Sequence, residues 1–299
     1  MNLSISDLEQ FSGVPVHTIR MWERRYNALT PMRSAGNTRF YSHDQLKRLL
    51  NIVSLNQAGL KISQVCALSE VEVNTLLQKE IDKTTSKTGQ FEYYIAQLLN
   101  AGLAYNELKF DDLINSCISQ NGMKETYQSV IYPILLRLGL MWRIDQICPA
   151  QEHFLTGLIR QKLMVAINDL SLKTQTKSTW LLFLPEDEVH DIGLLFASYL
   201  LRSMGHKVIF LGERVPFTSI MDVIEHTKIN HVLLFMVSLR PVEEANDYLN
   251  LLTEKLKNIT VHLAGNTKLI SSLKLSSKIK WFKSIAEFEQ NVNNLSHAN

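Results

Sequence analysis

The chain of 299 residues has room for about two or three domains, and its 45% hydrophobic and 20% charged content is that of an ordinary globular protein. Its formal net charge of +2 excludes bulk electrostatic attraction as a reason to bind nucleic acid, so any such contact must come from local charge. No apolar run approaches the ~20 residues of a membrane helix, no leader of basic then apolar residues opens the chain, and three scattered cysteines (Cys66, Cys117, Cys148) fit neither a disulfide framework nor a zinc site. The expectation is a cytoplasmic protein with no membrane partner.

Residues 6–11 predict a short helix capped by Ser4 or Ser6. Gly13 turns the chain, and Pro15 suits the first turn of a second helix over residues 16–26. Helix, glycine turn, helix is the helix-turn-helix pattern. Val16, Ile19 and Trp22 share one face of the second helix, while His17, Thr18, Arg20, Arg24 and Arg25 occupy the others. Next, Gly36-Asn37 between extended flanks predicts a hairpin wing over residues 31–41. A third helix starts at Ser42-His43-Asp44 and is stopped by Gly59. Up to Ile62 the chain carries eight basic residues (Arg20, Arg24, Arg25, Arg33, Arg39, Lys47, Arg48, Lys61) against four acids (Asp7, Glu9, Glu23, Asp44), which is the local charge that DNA binding needs.

Residues 82–89 are polar and aperiodic and read as linker. From Phe91 the apolar spacing is helical, and breaks at Gly122, Gly139 and Pro149 predict a bundle of about four helices. From Ser178 the period changes. Strands at 180–184, 207–211, 231–237, 259–263 and 279–282 alternate with helical stretches, which implies an α/β, doubly wound parallel sheet of Rossmann type. The expected domains are a DNA-binding head at 1–80, a linker at 81–90, a helical bundle at 91–173 and the Rossmann-like module at 178–299.

The chemistry sits on the loop after the first of these strands. There Glu188-Val189-His190-Asp191-Ile192-Gly193 puts a histidine between carboxylates where open α/β sheets bind ligands. A neutral imidazole, its second nitrogen held by a carboxylate, is a good metal ligand. By itself the pattern equally describes a solvent-facing loop histidine.

Two blocks in the head, Thr18-Ile19-Arg20-Met21-Trp22-Glu23-Arg24-Arg25-Tyr26 and Arg33-x-x-Gly36-x-x-Arg39-Phe40-Tyr41-Ser42-x-Asp44, resemble the MerR family of winged-helix regulators. The resemblance implies that the second helix reads the major groove of double-stranded operator DNA through His17, Thr18, Arg20, Arg24 and Arg25. Arg33 and Arg39 on the wing would hold phosphates or reach into the minor groove, and the Tyr26 and Tyr41 hydroxyls would pin the phosphate backbone. Trp22 and Phe40 read as core.

Glu188-x-His190-x-x-Gly193 resembles the cobalamin-binding signature, usually D-x-H-x-x-G, in which the histidine is the lower axial ligand of cobalt. That resemblance assigns His190 to the metal and makes Glu188 its partner ahead of Asp191. It gives Gly193 the task of letting the helix approach the macrocycle. It lines a groove for the nucleotide tail with Gly212 (in Leu211-Gly212-x-x-x-Pro216), Ser238, Ala264 and Gly265. The chain departs from it at Leu239 and Arg240, and at Ala264 in place of a glycine. In the bundle, Trp142-x(9)-Glu152-His153 resembles the upper-face motif of the CarH/LitR photoreceptor branch of MerR regulators, with Trp142 over the adenosyl group and Glu152 and His153 beside it. Arg143 stands where those relatives carry a second histidine, and a guanidinium has no lone pair for cobalt.

The resemblance implies a repressor, not an enzyme, that binds adenosylcobalamin (or methylcobalamin) and forms a homo-oligomer, a dimer or tetramer, that light dissociates. Alternatives are a regulator sensing cobalamin as a plain ligand or working without it, and a corrinoid carrier for methyl transfer.

Overall fold

In the computed structural model the first helix, α1 (Ile5–Ser12), starts from a reciprocal cap that selects Ser4 over Ser6. The Ser4 N–H donates to the Asp7 carboxylate at 2.6 Å, and the Asp7 N–H donates back to Ser4 Oγ at 3.2 Å. The structure describes residues 3–297 apart from 13, 34–36, 58–59, 70, 74, 77–86, 144–146, 172–175 and 239. They fall into two compact units, Met1–Leu158 and Ile159–Asn299.

In the first unit, α2 (Val16–Tyr26) begins after Pro15, which is its N-cap and not part of its first turn. The left-handed Asn27 (φ 50°) ends it. Strands β1 (Met32–Arg33) and β2 (Arg39–Phe40) pair antiparallel as the wing. A second tie, Leu3 N–H to Tyr41 O at 2.9 Å and Tyr41 N–H to Leu3 O at 2.8 Å, fastens the wing base to the N-terminus. The helix α3 (His43–Gln57) and the short α4 (Ile62–Ala67) follow.

The bundle begins earlier than expected. Helix α5 (Lys87–Leu103) starts inside the stretch read as linker, of which residues 81–86 lie outside the described ones. Its first polar turn carries no apolar signal, which is why composition misplaced it. Helix α6 (Glu107–Thr126) is capped by Asn106, whose Oδ1 accepts from Lys109 N–H at 3.0 Å, and it breaks at Gly122 (φ 77°) as expected. A π turn (Tyr127–Ile131) leads into α7 (Tyr132–Arg143). Gly139 does not break α7, because one glycine among leucines lowers helix propensity by only ~1 kcal/mol. Helix α8 is Pro149–Asn168. Head and bundle pack together within this unit: buried Asn51 of α3 accepts from Gln97 (3.1 Å) and Asn100 (2.8 Å) of α5. The division between the two compact units falls inside α8.

The second unit carries the parallel sheet β3 (Thr179–Pro185), β4 (Lys207–Val215), β5 (His231–Met236), β6 (Thr260–Gly265) and β7 (Ile279–Trp281), in the order β4-β3-β5-β6-β7. Helices α9 (Ile192–Ser203), α10 (Phe217–His226), α11 (Val242–Lys255), α12 (Thr267–Ile270) and α13 (Ile285–His297) connect or follow the strands. Strands covered on both faces become continuous apolar runs, and Leu181, Leu182, Phe183, Leu184, Val232, Leu233 and Leu234 are all 0% exposed. The chain leaves β3 toward β4 on one side and returns to β5 on the other, so the switch point, where such sheets bind ligands, lies beyond the C-terminal ends of β3 and β5.

Strand β4 does not end at Leu211. It runs to Val215 through a bulge, where the register with β3 jumps from Leu182↔Phe210 to Phe183↔Gly212. Gly212 (φ 84°) supplies the left-handed residue that the bulge requires. The Leu-Gly-x-x-x-Pro segment is thus strand, and only Pro216, the N-cap of α10, acts as a stop.

Candidate functional site

On α2, Ile19 and Trp22 face the core, whereas His17, Arg20, Arg24 and Arg25 are exposed and Thr18 and Tyr26 are half-buried. Four exposed polar side chains and two half-buried hydroxyls therefore project from one helix, as groove reading requires. On the wing, Arg33 is exposed and donates to Asn37 Oδ1 across the hairpin. Arg39 leans toward Glu23, 3.8 Å away. Tyr41 departs from the expectation: it is 0% exposed and its hydroxyl donates to buried Glu23 at 2.5 Å, so it braces the wing against α2 and offers no exposed surface to a phosphate. Burial and the Glu23 carboxylate both push its phenol up, which keeps it a neutral donor.

In the second unit the loop after β3 places Glu188 inward and His190 outward. The Glu188 side chain is 0% exposed, while that of His190 is 56% exposed. His190 Nδ1 lies 2.6 Å from Glu188 Oε1. The same oxygen accepts from Ser238 Oγ (2.9 Å), while Oε2 accepts the N–H groups of Val237 (2.8 Å) and Ser238 (2.7 Å). Burial alone would raise the Glu188 carboxyl, but the bonds from His190, Ser238 and Val237 outweigh it and hold the group well below the usual carboxylate range. An ionised carboxylate facing Nδ1 selects the Nδ1–H tautomer and makes Nε2 the nitrogen that would meet a metal. Glu188, His190 and Ser238 are thereby brought together from the loops after β3 and β5, across the switch point.

Other expected residues take different roles. Asp191 is held by Arg160, which engages its carboxylate twice, Nη2 to Oδ1 at 2.8 Å and Nε to Oδ2 at 3.0 Å. Ser238 also holds Glu188 directly, through its N–H and its hydroxyl. Gly193 is required by the protein interior, since a Cβ there would sit 2.8 Å from Phe235 Cε1. Gly265 (φ 131°) has no room for a Cβ, which would lie 2.1 Å from Met236 O, and Ala264 is buried in β6. In the first unit, Glu152 Oε2 and His153 Nδ1 are 2.6 Å apart at the start of α8, with the His153 side chain 77% exposed. Trp142 and Arg143 lie on α7, but their side chains, like Leu239, are outside those described.

Two participants escaped the sequence reading. Arg240, noticed only as a departure, has its guanidinium on Asp187 (2.8 Å) and Glu188 (3.3 Å). Arg160, an unremarkable bundle residue, holds Asp191. A basic residue close after Ser238 was the available signal for the first; nothing local marked the second.

The donor set fits a cobalt corrinoid. It offers one outward imidazole, oriented by a buried carboxylate at the switch point, which is the single side-chain nitrogen a corrinoid cobalt would take from the protein.

Residues 3–76 match the family described as MerR HTH family regulatory protein, and residues 94–166 match the B12 binding domain. The chain is similar to the HTH-type transcriptional repressor CarH of Myxococcus xanthus, 28% identical over 86% of this chain and 86% of that protein. It is also similar to the repressor CarA of the same organism, 26% identical over 82% of this chain and 80% of that one. Among solved structures, the monomethylamine corrinoid protein of Methanosarcina barkeri aligns with a TM-score of 0.55 at 14% identity, over 68% of this chain and 98% of that one, a likeness of fold.

Proposed function

We propose that this chain, a MerR-type helix-turn-helix head joined to a B12-binding domain and not an enzyme, is a cytoplasmic transcription repressor whose assembly on operator DNA is set by adenosylcobalamin. The observation that carries the reading is the 2.6 Å contact of His190 Nδ1 with a carboxylate that Val237 and Ser238 pin in place. An imidazole so held is oriented before any metal arrives, and little ordering is left to do on binding.

His190 would take the lower face of the corrinoid, with Glu188 and Ser238 behind it, and Trp142, Glu152 and His153 would attend the upper face. Bound adenosylcobalamin would supply a light-sensitive cobalt–carbon bond. The protein's part is to favour one assembly when the cofactor is held, a homo-oligomer presenting several α2 helices to DNA at once. Salt-sensitive phosphate contacts by Arg33 and Arg39 and base contacts by His17, Arg20, Arg24 and Arg25 then add up across heads.

Arg143 favours a second reading, in which cobalamin is sensed as a ligand without light. A guanidinium cannot replace a departing upper ligand, so no second protein nitrogen captures cobalt at that position.

The test is titration of the dark protein with adenosylcobalamin, followed by absorption. The wild type is expected to bind with the spectrum of an imidazole-ligated corrinoid. His190→Ala should bind at least about tenfold more weakly and without that spectrum. Equal binding by both proteins would overturn the ligand assignment.

A further inference from the structure

The side chain of Arg240 is only 8% exposed although it belongs to a loop, the one that follows the central strand β5. Its Nη1 donates to Asp187 Oδ1 at 2.8 Å and its Nη2 to Glu188 Oε2 at 3.3 Å, while Nε is buried without a hydrogen-bond partner. Burying a guanidinium is unfavourable unless strong pairing offsets its desolvation. Asp187 is a poor reason for such burial, because its own side chain is 62% exposed and exposed pairs contribute little. The other partner, Glu188, is wholly buried.

The placement has a consequence for His190. Glu188 comes from the β3 loop, yet Oε2 is held entirely by the segment after β5: the Val237 and Ser238 N–H groups and the Arg240 guanidinium. With Oε2 fixed at three points, the carboxylate cannot rotate, and Oε1 stays directed at His190 Nδ1. The two N–H donors are backbone and would survive any side-chain change. Arg240 contributes the single charged contact, about twice as strong as a neutral one.

We propose that Arg240 is a positioning residue for the cobalt ligand: by clamping Glu188 from the β5 side it fixes the tautomer and ring direction of His190. The inference rests on the reading of His190 as the lower ligand. It turns what looked like a defect of the signature into a part of the site. A purely structural Arg240 would brace two loops and leave the imidazole indifferent to its loss.

The experiment uses full-length protein labelled with ¹⁵N-histidine, compared as wild type, Arg240→Met, Arg240→Lys and Asp187→Asn. In the unliganded proteins, long-range ¹H–¹⁵N spectra report the His190 tautomer. With cob(II)alamin added, electron paramagnetic resonance reports whether a ¹⁵N nucleus of histidine splits the cobalt signal. The wild type is expected to hold the Nδ1–H tautomer and to show the splitting. Arg240→Met should show mixed tautomers, lose the splitting in most molecules and bind about tenfold or more weakly. Arg240→Lys, which keeps a charge near Glu188, should restore part of the splitting. Asp187→Asn, altering an exposed side chain, covers the case in which Arg240→Met does not fold; it loosens the clamp and should shift the tautomer in the same direction by less. Wild-type tautomer, splitting and affinity within twofold in Arg240→Met, or an unshifted tautomer in Asp187→Asn should Arg240→Met not fold, would overturn the proposal. A wild type that takes up no corrinoid would instead overturn the functional reading, and the tautomer comparison would still judge Arg240.

Discussion

Histidines occupy both ends of the same parallel sheet under opposite conditions. Beyond the C-terminal ends of the strands, His190 is more than half exposed and rests on a buried carboxylate. Toward the N-terminal ends, His206, His231 and His262 are 4%, 9% and 0% exposed and pack around Trp180, whose ring centroid is 4.4 Å from that of His231 and 4.7 Å from that of His262. Their hydrogen-bond partners are neutral: Ser178 Oγ lies 2.9 Å from His206 Nδ1, and His262 Nε2 lies 3.3 Å from His231 Nδ1. Burial pushes all three below the ordinary imidazole value, His206 and His231 to about 4 and His262 to about 3. One residue type thus stands exposed on a carboxylate at one end of the sheet and inside an aromatic core at the other. What decides is the partner: a carboxylate and open space, or rings and desolvation.

The largest effect expected from this contrast is on stability in acid. The unfolded chain protonates these histidines near 6.5, but the folded chain resists until about 4. The unfolded state therefore binds more protons in that window, so stability is complete above pH 7 and falls as pH drops from about 6.5 toward 4. The loss is of order 3 kcal/mol for one such histidine. Denaturant unfolding of the full chain at several pH values measures it. His262→Phe, beside Phe282, should stay within about 1 kcal/mol of wild type at neutral pH and flatten the acid limb. An unaltered acid limb would place the sensitivity elsewhere.

The smaller effect extends the contrast to the head, where Tyr41 has the type of a phosphate contact but the surroundings of a core residue. Arg33→Gln should weaken DNA binding and reduce the salt dependence of the logarithm of affinity by about one ion. Tyr41→Phe should leave that slope unchanged and lower stability by about 1 kcal/mol through the lost Glu23 bond. A reduced slope in Tyr41→Phe would return the hydroxyl to the DNA surface.

Much of this was legible in the sequence. Change of period from helical to alternating runs marked the sheet, and its switch point located the His190 loop before any coordinates. Glu188 was the better partner because its spacing matched the signature, and the structure puts it on Nδ1. Legibility ended where a residue's role depends on distant chain. Arg160 meets Asp191 from 31 residues away, Arg240 meets Glu188 from 52, and Asn51 joins the head to α5 from 46. Gly193 shows a constraint its own segment does not display: a Cβ there would meet Phe235 of the neighbouring strand β5. Tyr41 failed for the same reason, since its partner Glu23 lies 18 residues back and nothing in the wing reports that the carboxylate is buried.

The most direct measurement is size-exclusion chromatography of the full chain with adenosylcobalamin in the dark, repeated after green illumination, with absorption recorded across the eluting peak. A dark oligomer that carries corrinoid absorption and dissociates in light is the expected result. A corrinoid-bearing species of unchanged size in light would contradict light control and favour the ligand-sensing reading that Arg143 suggests. Elution without corrinoid would contradict cobalamin binding altogether.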